Sequence, residues 1–571
     1  MVKDRSAAGA AEFRAARDLL LEHRLDQPTA HQMFTWPRTE SFNWALDHFD
    51  EVAKTRPDRT ALWIVGEQDE NKYTYRHMSL RSNQVANWLY SQGVHPGDRI
   101  LVLLGDQVEL WELLLAVIKL GAVVSPATPS LTESELVDRL DRGNISHVVC
   151  AASETEKFTH LQGHWTRICV GYVEGWLSYP DSEYAGLEFQ PPYSTSVDDP
   201  LLLYFTAGTT STPKLVTHTQ GSYPIGHLST MYWIGLQPGD VHLNSAPPGW
   251  AKHAYSSVFA PWNAEATVLV VSQDRFDPKR LLHELSHRGV DTFCAPPTVW
   301  RLFLQQDLAS WQVGLREAVA TGESLNAEVV QQVRRAWDLT VRDGFGQTET
   351  ALLIGNGPGQ VVIPGSMGRP MPGYDIEFVD PVTDEPVPEG TPGEICVALD
   401  PEPAGVMKGY SDDPDLSRTN SRGLRYRTGD IAIRREDGYI TYIGRADDVF
   451  KASDYRVSPF EIESVLVEHE YVAEAAVVPS PDPMRMSVVK AFVSLVDGVP
   501  AEASTAHAIL HHAKNRLTPY KRVRRVEFTE LPKTASGKIR RVTLRRAEAE
   551  RGTVTDGSRN PHEFWEEDFA G

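Results

Sequence analysis

The sequence is poor in cysteine, which excludes two classes of small scaffold. Its 571 residues include four cysteines, and no two of them form a C-x-x-C pair. Because a disulfide framework or a zinc ribbon needs closely spaced cysteine pairs, neither is expected. We predict that Cys150, Cys169, Cys294 and Cys396 are buried thiols of a protein in a reducing compartment.

The sequence also lacks a hydrophobic run suited to a membrane span or a secretion signal. Its most apolar window, residues 100–124, is interrupted by Asp106, Glu109, Glu112 and Lys119. A spanning helix rarely carries such charges. The N-terminus has no apolar core followed by a small-residue cleavage site. We therefore expect a cytoplasmic protein that does not act in a membrane.

The chain has fewer positively charged than negatively charged residues. The 56 lysines and arginines against 77 aspartates and glutamates give a net charge of −21. Such a chain does not attract nucleic acid or an anionic membrane surface. The length predicts more than one domain, and size of this kind is typical of an enzyme. An oligomer is compatible with these features.

Short apolar runs alternate with helical patterns along most of the chain. Strand-like runs and helical spacings follow each other at 60–65, 77–92, 98–104, 107–120 and 146–150. This alternation predicts α/β layers around largely parallel sheets. No internal repeat interrupts it.

The composition changes near residue 445. Loops rich in glycine and proline give way there to a compact α+β pattern, with a helix at 459–469 and strands at 473–478 and 488–495. We therefore expect an N-terminal domain, residues 1–446, and a C-terminal domain, residues 447–571.

A basic segment, residues 514–546, stands out in the acidic chain. It contains twelve lysines and arginines and two acids, Glu527 and Glu530. Two interpretations remain open at this point: a solvated helix face, or a binding surface for a polyanionic small molecule.

The clearest local motif is YFTAGTTSTPK, residues 204–214. A strand-like run leads into a loop that carries hydroxyl groups, a glycine and a final lysine. Backbone N–H groups and hydroxyls on such a turn can bind phosphate oxygens, and a lysine adds charge. The P-loop pattern G-x-x-x-x-G-K-[ST] is absent.

Four further motifs carry residue types suited to nucleotide chemistry. GFGQTET, residues 344–350, combines an aromatic ring with a carboxylate that could hold Mg²⁺. YRTGD at 426–430 places an aspartate in a turn, where it could accept ribose hydroxyls. GRADD lies at 444–448, and LPKTASGK at 531–538 ends in a loop lysine.

In this order and spacing, the motifs resemble the adenylate-forming superfamily of acyl-CoA synthetases, adenylation domains and luciferases. The resemblance covers residues 40–546, and connecting segments such as SYPIGHLSTMYWIGL and VWRLFLQQDL resemble the medium-chain acyl-CoA synthetase group. It implies an α/β fold: a large N-terminal domain of layered sheets with a β-barrel-like subdomain, and a small mobile α+β C-terminal domain. It also implies ATP, Mg²⁺ and CoA as cofactors or co-substrates, and a medium-chain fatty or aromatic acid as substrate.

The resemblance assigns roles to individual residues. The nucleotide-binding set comprises Thr206, Gly208, Thr209, Thr210, Lys214, Gly322, Glu323, Ser324, Asp343, Gly344, Phe345, Asp430, Arg445 and Arg456. Thr348 would contact the α-phosphate, Glu349 would bind Mg²⁺, and Lys538 would stabilise charge during adenylation. The acyl pocket would be lined by Trp250, Ala251, Lys252, Thr321 and Gly346. Ser453, Asp454 and Lys514 would serve CoA, and Asp447 would be the hinge between two domain orientations.

The sequence departs from the family pattern at four positions. Ala207 and Ser211 replace a serine and a glycine of the phosphate loop, and Ala351 replaces the glycine that follows QTET. Asp454 stands where CoA ligases of this superfamily usually have glycine. The alternative is therefore an adenylating enzyme that loads a carrier protein or an amine instead of CoA. A catalytically silent binding protein is disfavoured, because Lys538, Glu349 and Asp430 are all present.

One motif match is expected to be accidental. HELSH at 283–287 fits the H-E-x-x-H pattern of zinc proteases. It lies in a predicted amphipathic helix at 277–288, and no third ligand follows at a suitable spacing. We predict a surface helix without zinc.

Overall fold

The computed structural model describes residues 2–206, 213–273, 275–452, 455–482, 486–533, 538–552 and 559–569. In chain order the α-helices are α1 (Val2–Glu22), α2 (Gln27–Met33), α3 (Asp50–Thr55), α4 (Tyr75–Ser91), α5 (Val108–Leu120), α6 (Glu133–Arg142), α7 (Leu228–Ile234), α8 (Ala251–Ala254), α9 (Ala260–Asn263), α10 (Pro278–His287), α11 (Pro297–Leu304), α12 (Ala327–Trp337), α13 (Pro414–Asn420), α14 (Pro459–Val467), α15 (Ala503–Arg516) and α16 (Arg541–Arg551). No helix in these ranges has the length and apolarity needed to cross a membrane.

The strands are β1 (Thr60–Val65), β2 (Glu70–Thr74), β3 (Arg99–Leu103), β4 (Val123–Pro126), β5 (His147–Ala151), β6 (Thr166–Val170), β7 (Leu177–Ser178), β8 (Pro200–Thr206), β9 (Lys214–Thr219), β10 (Val241–Asn244), β11 (Thr267–Val271), β12 (Thr292–Ala295), β13 (Glu317–Thr321), β14 (Val341–Gly346), β15 (Leu352–Gly355), β16 (Arg369–Pro370), β17 (Ile376–Val379), β18 (Gly393–Ala398), β19 (Gly409–Tyr410), β20 (Arg425–Arg434), β21 (Ile440–Arg445), β22 (Phe450–Ala452), β23 (Tyr455–Val457), β24 (Val472–Asp482), β25 (Met486–Leu495), β26 (Val523–Phe528) and β27 (Glu563–Trp565). The α/β alternation predicted for the N-terminal half is confirmed, including the helix ends at Gly93 and Gly121, both of which have positive φ.

Two mixed sheets form the large unit of the chain, which comprises the described residues up to 376 and those at 397–426. One sheet has the order β16-β15-β14-β13-β12-β10-β11-β1-β2, and the other β19-β9-β8-β4-β3-β5-β6-β7. Their central strands are parallel, as expected. Helices such as α10, α11 and α12 cover the first sheet with a core that contains Phe293, Trp300 and Phe303.

The small unit comprises residues 377–396 and the described residues from 427 onwards. Most of the β17-β18-β20-β21 sheet belongs to it, as does a sheet of order β24-β25-β26-β27. Helices α14 and α15 pack on the second sheet around Ile462, Val477 and Ile509. The predicted large α/β and small α+β domains are confirmed. The boundary at 446/447 and the mobility of the C-terminal domain stay predictions.

A fully buried lysine anchors the last strand of the small unit. The Lys490 ammonium lies 2.7 Å from Glu527, 2.8 Å from Glu548 and 3.3 Å from Glu563. Glu563 lies on β27, which pairs antiparallel with β26. Because a buried ammonium needs countercharge, these carboxylates explain how Lys490 is accommodated.

Candidate active site

Two predicted nucleotide motifs follow adjacent parallel strands. Strand β13 ends at Thr321 and β14 at Gly346, and Thr321 lies opposite Gly344 in their register. The turn 322–324 and the segment 344–350 therefore leave the sheet side by side, at the carboxyl edge where α/β proteins bind ligands. Gly322 has φ of 100°, a left-handed conformation that favours glycine.

Asp343 connects these two motifs. One carboxylate oxygen accepts a 2.9 Å hydrogen bond from the Gly344 N–H, and the other accepts a 3.4 Å bond from Leu325 N–H. Burial raises the pKa of Asp343 to about 7, which the Lys252 ammonium partly opposes. Glu323 forms an ion pair of 3.5 Å with Arg301, and Ser324 is half-buried beside it.

The glycines of the second motif are packed against neighbouring groups. A Cβ on Gly344 would lie 2.5 Å from the Trp233 ring, and one on Gly346 would lie 2.5 Å from the Ala351 carbonyl oxygen. Gly346 is among the residues predicted to line the acyl pocket, and that role stays a prediction. Phe345 remains half-buried between the two glycines.

Two residues predicted to line the acyl pocket are in contact. Helix α8 begins at Ala251, directly after the half-buried Trp250, and the Ala251 carbonyl accepts a 3.1 Å bond from the Tyr223 hydroxyl. The Lys252 ammonium, on the same helix, donates to the Thr321 carbonyl. An ammonium group therefore lies at the end of β13, beside the adenine motif.

The predicted phosphate motif is a β-hairpin whose strands are β8 and β9. Thr206 and Lys214 are its last paired residues and lie opposite each other. The predictions at Gly208, Thr209 and Thr210 fall on the connecting loop, outside the described residues. Thr206 and Lys214 are both half-buried at the base of that loop.

Tyr410 contacts both Lys214 and Glu349. The Lys214 ammonium lies 5.1 Å from the centre of the Tyr410 ring, and the Tyr410 hydroxyl donates a 3.0 Å hydrogen bond to Glu349 Oε1. Burial and the neighbouring carboxylate raise the pKa of Tyr410 above its ordinary value, so the hydroxyl remains a donor. The structure thus brings together the predicted phosphate lysine and the predicted metal ligand.

A buried histidine holds the carbonyl of Thr348. His218 Nε2 lies 2.7 Å from the Thr348 oxygen, while Nδ1 lies 3.1 Å from Ser222 Oγ. A carbonyl can only accept, so Nε2 carries the proton and Nδ1 accepts from the serine. Burial lowers the pKa of His218 to about 4, which keeps the ring neutral near pH 7.

In the small unit, Asp430 contacts the side chains of Tyr442 and Arg445. It is buried and accepts a 2.9 Å bond from the Tyr442 hydroxyl and a 3.2 Å bond from Arg445 Nη1. Arg445 also lies 3.6 Å from the exposed Asp447. The structure therefore brings the two predicted ribose-binding residues together, next to the predicted hinge residue.

The remaining predicted residues are exposed or lie outside the described part. Lys538 and Lys514 are exposed, Lys514 in the last turn of α15. Ser453 and Asp454 lie outside the described residues, as does the side chain of Arg456.

Acidic residues from elsewhere neutralise much of the basic segment. Ion pairs join Arg516 to Glu468, Lys521 to Glu461, Arg522 and Arg524 to Glu566, Arg525 to Asp482, Lys533 to Glu474, and Arg541 and Arg545 to Asp448. Lys514, Arg540 and Arg546 form no ion pair within the described part of the chain. The cationic surface available to a ligand is therefore smaller than the sequence indicates.

The HELSH motif lies on helix α10. The rings of His283 and His287 stack at 4.1 Å on the exposed face of α10, whereas Glu284 is buried and pairs with Arg288 at 2.7 Å. Within the described ranges, no group of three or more potential ligands could hold a metal ion.

No motif pointed to Tyr410, His218 or Tyr442. A signal existed for His218: it follows Lys214 by four residues on β9, and alternate strand residues share a face. Tyr410 reaches that face because β19 pairs with β9, with Tyr410 opposite Val216. Such pairing over a long sequence separation leaves no local pattern.

Known proteins resemble the chain over almost its whole length. The sequence profile of the AMP-binding enzymes matches residues 49–411, and that of the AMP-binding enzyme C-terminal domain matches residues 461–538. The chain is 40% identical to 4-hydroxybutyrate–CoA ligase 1 of Metallosphaera sedula, covering 92% of this chain and 93% of that protein. It is 35% identical to mouse mitochondrial acyl-coenzyme A synthetase ACSM3, covering 89% and 91%.

A solved structure supports the same relationship. The anthranilate CoA ligase AuaEII, in complex with anthranoyl-AMP, superimposes with a TM-score of 0.82 at 27% identity, covering 90% of this chain and 98% of that one. With the motifs at the strand ends and the profile matches, this shows that the chain belongs to the AMP-binding enzyme family and is an AMP-forming acyl-CoA synthetase, an ATP-dependent acid–CoA ligase.

Proposed function

We propose that the chain ligates a medium-chain fatty or aromatic acid to CoA in two half-reactions, with the residue roles predicted from its motifs. The observation that carries the proposal is that Tyr410 contacts both Lys214, a cation, and Glu349, a carboxylate. A magnesium–triphosphate needs both charges in one place. A carboxylic acid is a weak nucleophile that the triphosphate repels, so positioning and charge neutralisation must drive the reaction.

In the first half-reaction, a carboxylate oxygen of the acid attacks the α-phosphorus of ATP. The bond between that phosphorus and the oxygen leading to the β-phosphate breaks, and pyrophosphate leaves. Lys214 and Thr206 hold the β- and γ-phosphates with the loop that follows β8. Thr348 contacts the α-phosphate, and Lys538 stabilises the negative charge that develops there.

The residues around Glu349 fit a magnesium ion bound together with nucleotide. Oε1 accepts from Tyr410, and in the described part of the chain Glu349 belongs to no group of three or more histidine, cysteine, aspartate or glutamate side chains that could hold a metal ion without nucleotide. Mg²⁺ is commonly held by one or two carboxylates together with substrate phosphates and water. When bound, the ion would neutralise phosphate charge and favour departure of pyrophosphate.

Two groups of residues are assigned to the nucleoside: the two strand-end turns of the large unit, and Asp430 with Arg445 of the small unit. Asp343, the 322–324 turn and the Phe345 ring form the adenine slot, in which Phe345 supplies a stacking surface. Asp430 accepts from the ribose hydroxyls, and Arg445 fixes its orientation. These contacts serve both half-reactions, because ATP and acyl-AMP share the adenosine monophosphate moiety.

In the second half-reaction, the CoA sulfur attacks the acyl carbonyl. The bond from that carbon to AMP breaks, and the thiol proton passes to solvent. We propose that a rotation at Asp447 withdraws Lys538 and brings residues 449–457 to the acyl-adenylate, a hinge motion of the kind that completes many active sites. Lys514 would contact the 3′-phosphate of CoA.

ATP–pyrophosphate exchange over a panel of carboxylic acids tests the first half-reaction. Thioester detection in the presence of CoA tests the second. We expect exchange with hexanoate and benzoate, and thioester formation from the acids that support exchange. Exchange with no acid of the panel would contradict the proposed substrate class.

The choice between CoA and the alternative acceptor, a carrier protein or an amine, depends on whether Asp454 hinders the CoA thiol. Rapid-quench measurement in a single turnover follows acyl-AMP and acyl-CoA together. We expect wild type to convert acyl-AMP to acyl-CoA, and Asp454→Gly to change that rate little. Persistent acyl-AMP at saturating CoA would instead favour the alternative.

The position of Lys252 supports a second class of substrate, namely acids that carry an additional polar group. Its ammonium lies at the Thr321 carbonyl, among residues of the predicted acyl pocket. The relative named 4-hydroxybutyrate–CoA ligase 1 acts, by its name, on an acid with a second oxygen function. Lys252→Met should lower kcat/KM for 4-hydroxybutyrate more than for butyrate. An equal loss for both acids would contradict this specificity.

We propose a reducing compartment such as the cytoplasm for the enzyme. All four cysteines are buried and unpaired, which supports this placement.

A further inference from the structure

The position of Tyr410 follows from strand pairing. Strand β19 pairs antiparallel with β9, so that Gly409 lies opposite Thr217 and Tyr410 opposite Val216. Residues 214, 216 and 218 alternate onto one face of β9. Tyr410 therefore lies on the face that carries Lys214 and His218, and it is 4% exposed.

Lys214 and Glu349, the two charged residues of the predicted phosphate site, both contact the side chain of Tyr410. The ring faces the Lys214 ammonium at 5.1 Å, the hydroxyl donates to Glu349 Oε1 at 3.0 Å, and Asn420 Nδ2 donates to the same hydroxyl at 3.3 Å. A tyrosine suits both contacts, since the ring face attracts a cation and the O–H group donates to an anion.

Lys214 and Glu349 have opposite charges, yet no ion pair joins them in the described part of the chain. In a direct ion pair, the Lys214 ammonium and the Glu349 carboxylate would neutralise each other. Nucleotide binding would then have to break that ion pair first. Tyr410 contacts both and so competes with that pairing. It occupies Oε1 and leaves the second carboxylate oxygen of Glu349 without a hydrogen bond to any described residue.

We propose that Tyr410 is a positioning residue of the nucleotide site, which separates Lys214 from Glu349 and orients the Glu349 carboxylate towards a phosphate-bound metal ion. The inference rests on the proposed roles of these two residues. Tyr410 acts through them and does not itself contact the reacting atoms.

The test is equilibrium binding of ATP, measured by calorimetry with saturating Mg²⁺ and again with EDTA. Tyr410→Phe keeps the ring and removes the donor to Glu349. We expect it to weaken binding of Mg²⁺-bound ATP about tenfold, the usual order of effect for one hydrogen bond to a charged group, and to leave ATP binding in EDTA within about twofold of wild type.

Tyr75→Phe is the matched control. Tyr75 is also buried in the large unit, and its hydroxyl donates a 2.9 Å bond to the Ala266 carbonyl. We expect a similar loss of thermal stability and no change in nucleotide affinity. If both variants weaken Mg²⁺-bound ATP equally, or if Tyr410→Phe binds like wild type, the positioning role is wrong.

A double-mutant cycle separates this inference from the proposed function. In a Glu349→Gln background the effect of Tyr410→Phe should disappear, because the orienting bond has lost its charged acceptor. An undiminished effect in that background would overturn the inference. If wild type and Glu349→Gln gain equally from Mg²⁺, the metal-binding role of Glu349 fails instead.

Discussion

Asp430 and Arg445 lie directly opposite each other on the antiparallel strands β20 and β21, and Arg445 Nη1 lies 3.2 Å from Asp430 Oδ2. The register of the two strands thus places an acid from one motif against a base from another. The Tyr442 hydroxyl fixes the other carboxylate oxygen at 2.9 Å. The proposed ribose acceptor is oriented before any nucleotide arrives.

Asp430→Asn should raise the KM for ATP about tenfold, because it removes a charged acceptor and weakens its bond to Arg445. Steady-state kinetics of adenylation measures this. Glu548→Gln is the matched control, since Glu548 is a buried partner of Lys490 in the same unit. It should cost stability without changing the KM for ATP. Equal effects of the two variants on KM would show that Asp430 is only structural.

Lys538→Ala should lower the rate of acyl-AMP formation by roughly 10²–10³, the usual effect of removing a group aimed at developing charge. Thioester formation from supplied acyl-AMP should survive. Lys533→Ala provides a control in the same motif, because the Lys533 ammonium is 2.6 Å from Glu474. It should leave both half-reactions near wild type. Equal loss of both half-reactions in Lys538→Ala would contradict the two-orientation mechanism.

Lys514→Glu should raise the KM for CoA several-fold, since an exposed cation gives a modest, salt-sensitive phosphate contact. The KM for dephospho-CoA, which lacks the 3′-phosphate, should hardly change. Arg516→Glu makes the same charge change on the same helix turn, but Arg516 is paired with Glu468. If Arg516→Glu has the same effect on CoA, the general charge of the surface explains it and Lys514 makes no specific contact.

Asp343 should make stability depend on pH below neutrality. Burial raises its pKa to about 7 from an ordinary value of 3.8, so between these values the folded protein retains a proton that the unfolded chain releases. The free energy of unfolding therefore falls as the pH rises from about 4 to about 7, by up to about 1.4 kcal/mol per pH unit.

Asp343→Asn removes this titration. The Tm of the variant relative to wild type should therefore increase from pH 5 to pH 8, as measured by thermal unfolding at both values. A Tm difference that is constant over this range would show that Asp343 ionises at its ordinary pKa.

Much of the fold could be predicted from local sequence patterns. Strand β1 and the helices that end before Gly93 and Gly121 follow apolar periodicity and helix-stop residues. The motifs also located Lys214, at the start of β9, and Asp343, on β14. They located Asp430 as well, but this aspartate, expected in a turn, lies within strand β20. These features depend on neighbours a few residues away.

Features that depend on distant residues were not predictable in this way. Tyr410 meets Glu349 only because β19 pairs with β9. The charge of the basic segment is reduced by acids such as Glu461 and Glu566, which no window around residue 530 contains.

The buried Lys490 has a consequence for the order in which the chain folds during synthesis. Glu527 and Glu548 leave the ribosome before Glu563, which arrives with β27. Until then the lysine would be buried with part of its countercharge missing, which is unfavourable. The large unit, all of whose residues precede 427, can fold while translation continues. The small unit should become protease-resistant only after β27 has emerged.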